Sequence, residues 1–168
     1  PSSPPTWSII GPRYGKSFSN SSPGNAPSLS VSLKYLWILI LLEISEQNYK
    51  LAVKYLNNVG KNGFSKLIIG GHSKGGNIAV YSAIFCEEKI QRKIKEIINA
   101  DGPGFDESII KSENYLKISE KINTYIPQSS VIGRLLEHEE DYEIIHSTER
   151  GLMQHDLFSW QIEGTRLK

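Results

Sequence analysis

Lys66-Leu67-Ile68-Ile69-Gly70-Gly71-His72-Ser73-Lys74-Gly75-Gly76-Asn77-Ile78-Ala79 decides how the rest of the chain is read. Leu67, Ile68 and Ile69 form a short continuous apolar run, which suits a strand buried on both faces, since a half-exposed strand would alternate with polar residues. After Ser73, the residues Ile78, Ala79, Ala83 and Ile84 recur at helical spacing, so a helix begins close behind the strand. Between the two, Gly71-x-Ser73-x-Gly75 has the G-x-S-x-G form of a nucleophile elbow. In that turn the central serine takes a strained backbone conformation and projects its hydroxyl from the sheet edge. Ser73 is therefore a candidate nucleophile. The plainer reading is a helix-capping serine in a glycine-rich turn.

Outward from this stretch the chain alternates. Over residues 47–59, Tyr49, Ala52, Val53, Leu56 and Val59 fall on one helical face, and Asn57, Asn58, Gly60 and Gly63 supply a stop. Residues 94–99 are a β-branched run ending at Asp101-Gly102-Pro103-Gly104, residues 106–119 have helical character, and residues 121–126 read as a strand stopped by Pro127. A short helix over 131–136 and a last strand over 142–146 follow. Strands alternating with helices predict an α/β fold, a parallel sheet with helices on both faces, whose reactive groups gather beyond the carboxyl ends of the strands. Ser73, Asp101, Ser129, Ser130 and the segment after His146 fall at those ends. Residues 1–30, rich in Ser, Pro, Gly and Asn without periodic apolar pattern, have the composition of a loop or disordered tail.

Composition narrows the function classes. A chain of 168 residues is long enough for one domain with a real core. Nineteen basic against eighteen acidic side chains, with no basic block, leave no electrostatic footprint for nucleic acid. Cys86 is the only cysteine, which excludes an internal disulfide framework and a cysteine-based zinc site; a buried thiol in a reducing, cytoplasmic compartment is the expectation. The longest apolar run, residues 35–42, falls far short of the roughly 18 residues that span a bilayer, and no signal-peptide pattern opens the chain. No membrane span is expected. Gly11-Pro12-Arg13-Tyr14-Gly15-Lys16-Ser17 has three residues between its glycines where a phosphate loop needs four, and His138-Glu139-Glu140 lacks H-E-x-x-H spacing. No metal or cofactor is therefore expected.

A serine hydroxyl is a poor nucleophile until a base takes its proton, and the base needs an acid to fix its tautomer. The chain order of such sites is Ser, then Asp or Glu, then His on a loop after the last sheet strand. Of the four histidines, His72 adjoins the serine with its side chain expected to aim elsewhere, His138 lies in the charged run Glu137-His138-Glu139-Glu140-Asp141 that reads as a solvated face, and His146 falls in or at the end of a strand. His155, in Gly151-Leu152-Met153-Gln154-His155-Asp156, lies on a polar loop after that strand and is the candidate base. Asp101 ends the strand after the elbow helix and is the candidate acid, with an Asx-turn residue as its other reading. Asp156, next to the base, would point away from it. One oxyanion donor is expected from the Lys74 backbone N–H; nothing in residues 1–46 supplies the second.

Gly71-His72-Ser73-Lys74-Gly75-Gly76-Asn77, Asp101-Gly102-Pro103-Gly104-Phe105, Pro127-Gln128-Ser129-Ser130-Val131-Ile132-Gly133 and Gln154-His155-Asp156 together resemble, in order and spacing, a bacterial Mbeg-like family of lipase-like α/β-hydrolases related to the class 3 lipases. The resemblance covers about residue 44 to the C-terminus. It implies an α/β-hydrolase fold, Ser73 as nucleophile and His155 as base. For the acid it gives two answers. The class 3 position falls on Ser130, which is no carboxylate; the pancreatic-type position falls on Asp101, which is preferred. The resemblance also implies a Phe-Arg-Gly-Thr-like turn upstream, which is absent here, so residues 1–43 are expected to be an atypical segment joined to the C-terminal part (44–168) of a hydrolase domain truncated in its N-terminal half. Two functions follow: a serine hydrolase cleaving a small-molecule or lipid carboxylic ester through a Ser73 acyl-enzyme, or a catalytically inactive domain of the same fold that binds a ligand or partner.

Overall fold

A computed structural model describes residues 46–168. The expectations for residues 1–43, including the apolar run 35–42, lie outside the described residues. The first element is helix α1, Glu46–Lys61, whose Glu46 and Lys61 complement the helix dipole at its two ends and whose Leu56 enters the core. Strand β1, Leu67–His72, passes through Ser73 into helix α2, Lys74–Phe85, as the apolar pattern around the glycines predicts. A one-turn helix α3, Glu88–Gln91, leads into β2, Ile94–Ala100.

The stretch 106–119 is broken where one helix was expected. Asp106 caps α4, Glu107–Ile110, by accepting from the Ser108 N–H at 3.0 Å, and Ser112 caps α5, Glu113–Leu116, by accepting from the Tyr115 N–H at 3.2 Å. Each side chain offers the backbone a fresh start in place of continuation. Strand β3, Ile122–Pro127, then β4, Tyr142–Ile145, complete a four-stranded sheet of order β1-β2-β3-β4, parallel throughout. Residues 131–136 form turns, with no helix. Ser130 Oγ captures the Ile132 and Gly133 N–H groups there, each at 3.1 Å, and residues 135–137 pair with 104–105 through Gly104 N–H to Leu135 O at 2.9 Å and a reciprocal Phe105/Glu137 bridge. A small antiparallel hairpin, β5 at Ile162–Glu163 and β6 at Arg166–Leu167, follows without having been expected.

Strand alternation divides the sheet into two faces. Leu67, Ile69, Ile94, Ile97 and Ile122 share one core with Leu56, Val80, Ala83, Ile84, Ile90, Ile110, Tyr115 and Ile118, drawn from the helices and the turn after α5. Ala100 and Ile145 pack on the other face with Trp160, joined by Tyr125 and Leu167. Helices on both faces were expected; among the described residues the helices gather on the first face and the C-terminal turns and hairpin cover part of the second. The strand order supplies the reason. Each new strand is added on the same side of the last, and right-handed crossovers then place every connection on one face. No described helix is long and apolar enough to cross a membrane.

The charged run 137–141 is a correction. His138 and Glu140 have side chains only 8% and 4% exposed, because Glu140 turns inward to accept from Tyr115 Oη, from Thr124 Oγ1 at 2.7 Å and from the His138 ring at 3.0 Å. Burial pushes the Glu140 carboxyl up, but the hydrogen bonds from His138, Tyr115 and Thr124 outweigh it and hold the group at about 2, against 4.5 when free. A lowered carboxyl contributes stability that is present above its unfolded value and lost as pH falls through the folded one. Unfolding free energy is therefore expected to drop by about 3 kcal/mol between pH 4.5 and 2 on account of Glu140. Urea titrations across that window check it: Glu140→Gln should be less stable than the parent at pH 7 and show a flatter acid dependence, and parallel curves would remove the assignment.

Candidate active site

The register brings the strand ends level. His72 pairs with Ala100 and Ala100 with Tyr125, and the ladder runs one residue further through Ser73 N–H to Ala100 O and Asp101 N–H to Tyr125 O, both 2.8 Å. Ser73 and Asp101 therefore leave adjacent strands side by side. Both are left-handed: Ser73 has φ +56° and ψ −128°, Asp101 has φ +50°. The Ser73 conformation costs about 1–3 kcal/mol and turns the chain from sheet to helix within one residue. At Gly71 an added Cβ would lie 2.4 Å from the Gly75 carbonyl carbon, a backbone collision that nothing nearby could relieve. Lys74 is the first residue of α2, so its N–H belongs to the helix's opening turn.

Asp101 is wholly buried, and its carboxylate reaches three groups on two loops. Oδ2 meets His155 Nδ1 at 2.7 Å, while Oδ1 accepts from the Gly133 N–H at 3.0 Å and from Ser130 Oγ. The Asx-type bond in this turn belongs to Asn99, whose Oδ1 takes the Gly102 N–H at 3.1 Å. His155 closes a 3-10 turn, Gly151–His155, and its side chain is 20% exposed. Asp156 instead caps the next 3-10 turn, Leu157–Ser159, by accepting from the Phe158 N–H at 3.0 Å. His138 belongs to the buried cluster described above, and His146 is exposed beyond β4.

His72, expected to aim away from the adjoining serine, has a partner that the sequence does not indicate. It turns to His155: its Nε2 lies 2.7 Å from the His155 carbonyl oxygen, to which it donates, and the two rings are 4.3 Å apart, tilted by 36°. Alternation explains this, because His72 shares the sheet face of Ala100, on which the C-terminal segment packs. Burial first, and then the neighbouring His155, hold His72 below the usual imidazole value, which favours the neutral ring, and its bond to the His155 carbonyl then places that ring's proton on Nε2.

Two further buried side chains went unrecognised in the sequence as supports. Gln154, 2% exposed, accepts the Ser129 N–H and donates to Glu149 O, both at 2.8 Å, while its own carbonyl accepts from Trp160 Nε1 at 2.8 Å. It fastens the His155 turn to the loop after β3; its one signal was its place in Gln154-His155-Asp156. Asn77, also 2% exposed, donates to Pro103 O at 2.9 Å and Gly104 O at 3.0 Å and accepts from Tyr49 Oη at 2.6 Å, clamping the loop after Asp101 to α2 and α1. Among the described residues no group of three or more His, Cys, Asp or Glu side chains is placed to hold a metal ion.

A family model described as Mbeg1-like matches residues 40–168. No curated protein matches the chain.

Proposed function

The chain belongs to the Mbeg1-like family, and from that premise we propose that it is a serine hydrolase of α/β-hydrolase, lipase-like type that cleaves carboxylic esters. The observation that carries this reading is the 2.7 Å contact of a buried aspartate with His155 Nδ1, at the same sheet edge as a strained serine in a G-x-S-x-G turn. An isolated serine or histidine would mean little; an orienting carboxylate gives the imidazole a defined tautomer.

In this mechanism Ser73 Oγ attacks the ester carbonyl carbon as its proton passes to His155 Nε2. The carbonyl oxygen becomes an oxyanion facing the Lys74 N–H, and Asp101 stabilises the imidazolium. The alcohol leaves with the proton from His155. Water, deprotonated by the same nitrogen, then attacks the acyl-enzyme and releases the acid, restoring Ser73. Exposed apolar side chains at Met153, Leu157 and Phe158 flank the base, which supports an acyl chain on the substrate.

A fluorophosphonate probe tests the reading, because it reacts with an activated serine whatever the natural substrate. One adduct is expected by intact mass, mapping to the Ser73 peptide, and none in Ser73→Ala. A folded parent protein that takes up no probe would instead favour a ligand-binding domain of the same fold.

A further inference from the structure

Asp101 is a triad acid, on the reading above, whose charge must sit in a place with no access to water. A buried carboxylate free to pivot about its Cβ–Cγ bond would present either oxygen, or neither, to the imidazole. What prevents that pivot comes from another strand. The loop after β3 offers Ser130 Oγ and the Gly133 N–H to the same oxygen, Oδ1, and leaves Oδ2 for His155. The cradle is shaped around that oxygen: a Cβ at Gly133 would lie 2.4 Å from Asp101 Oδ1. Ser130 is itself buried, at 7% exposed, and its Oγ also gathers the Ile132 and Gly133 N–H groups, so its hydroxyl proton is directed at the carboxylate.

We propose that Ser130 is a positioning residue for the acid, and that the turn Ser130-Val131-Ile132-Gly133 is a seat that selects which carboxylate oxygen meets His155. Ser130 touches neither the base nor the nucleophile among the hydrogen bonds of the site; it acts through Asp101. A hydrogen bond to a charged group in a dry site is among the stronger ones, and its loss corresponds to about a tenfold to hundredfold change in an equilibrium that depends on it.

The inference rests on the hydrolase reading, and the test separates the two. Parent, Ser130→Ala, Ser130→Thr and Gly133→Ala proteins are compared for ester hydrolysis, melting temperature and the proton resonance of His155 Nδ1–H, which a lasting bond to a carboxylate moves far downfield and protects from exchange. Ser130→Ala is expected to lower kcat about tenfold to a hundredfold at unchanged KM and to weaken or abolish that resonance. Ser130→Thr, which keeps the hydroxyl, restores both. Gly133→Ala, which displaces Oδ1 without removing a donor, loses the resonance too. Should the parent hydrolyse no ester yet show the resonance, and Ser130→Ala lose it, the hydrolase reading falls and the seat stands. Should Ser130→Ala keep the parent's kcat and resonance, or lose kcat only in proportion to unfolding, the seat is overturned.

Discussion

Ser73→Ala is expected to lower turnover of an activated ester by about six orders of magnitude, to the level of the unassisted reaction in the same cleft. Its effect on stability should be small, because alanine carries the same Cβ into the same left-handed backbone and inherits the strain at φ +56°. Ser73→Gly separates the two properties. It also lacks the hydroxyl and is equally inactive, but glycine adopts that region without steric penalty. Gaining back about 1–3 kcal/mol of strain, less the extra freedom glycine gives the unfolded chain, it should be more stable than Ser73→Ala by about 1 kcal/mol. Urea midpoints at pH 7 measure this. Equal midpoints would show that the elbow stores no strain at the serine, and residual turnover in either variant near that of the parent would remove Ser73 as nucleophile.

The strained turn at Ser73 could be found in the sequence because everything that shapes it is local. The apolar run 67–69, the close glycine at 71 and the helical spacing of Ile78, Ala79 and Ala83 lie within a few residues of it. Asp101 and His155 followed from a second general rule, that parallel strands present their chemistry at their carboxyl ends. The supports of these residues were illegible for the opposite reason. Apart from the class 3 position at Ser130 and the place of Gln154 beside His155, nothing marks Ser130, Gly133, Gln154 or Asn77 as supports until the register of β2 against β3 and the path of the C-terminal segment are known. His72 lay between the two cases: alternation along β1 fixes its face, but what packs on that face is set some eighty residues later. Charge density misled at His138 and Glu140, because two acceptor-hungry partners, Tyr115 and Thr124, come from other elements. Likewise the one-sided placement of the helices depends on strand order, which alternation of elements does not encode.

Asp101→Asn is expected to reduce kcat by about 10⁴ while the protein stays folded. Asparagine tolerates the left-handed conformation at this position as well as aspartate does, so φ +50° is no obstacle. The damage comes from the seat. Ser130 Oγ and the Gly133 N–H both donate toward the place now held by Oδ1, and an amide must offer them its oxygen. Its NH₂ is then forced into the place of Oδ2, facing His155 Nδ1, where it can only donate. The imidazole must accept there and carry its proton on Nε2, the nitrogen that, in the proposed mechanism, has to be unprotonated to receive the Ser73 proton. A wrong tautomer thus replaces a working base. Asp156→Asn, altering only the cap of the next turn, should stay within a few-fold of the parent. Steady-state kinetics with a chromogenic ester, paired with thermal melts, decide between them. If Asp156→Asn proved the inactive variant and Asp101→Asn retained turnover within tenfold, the carboxylate that orients His155 in solution would be another one.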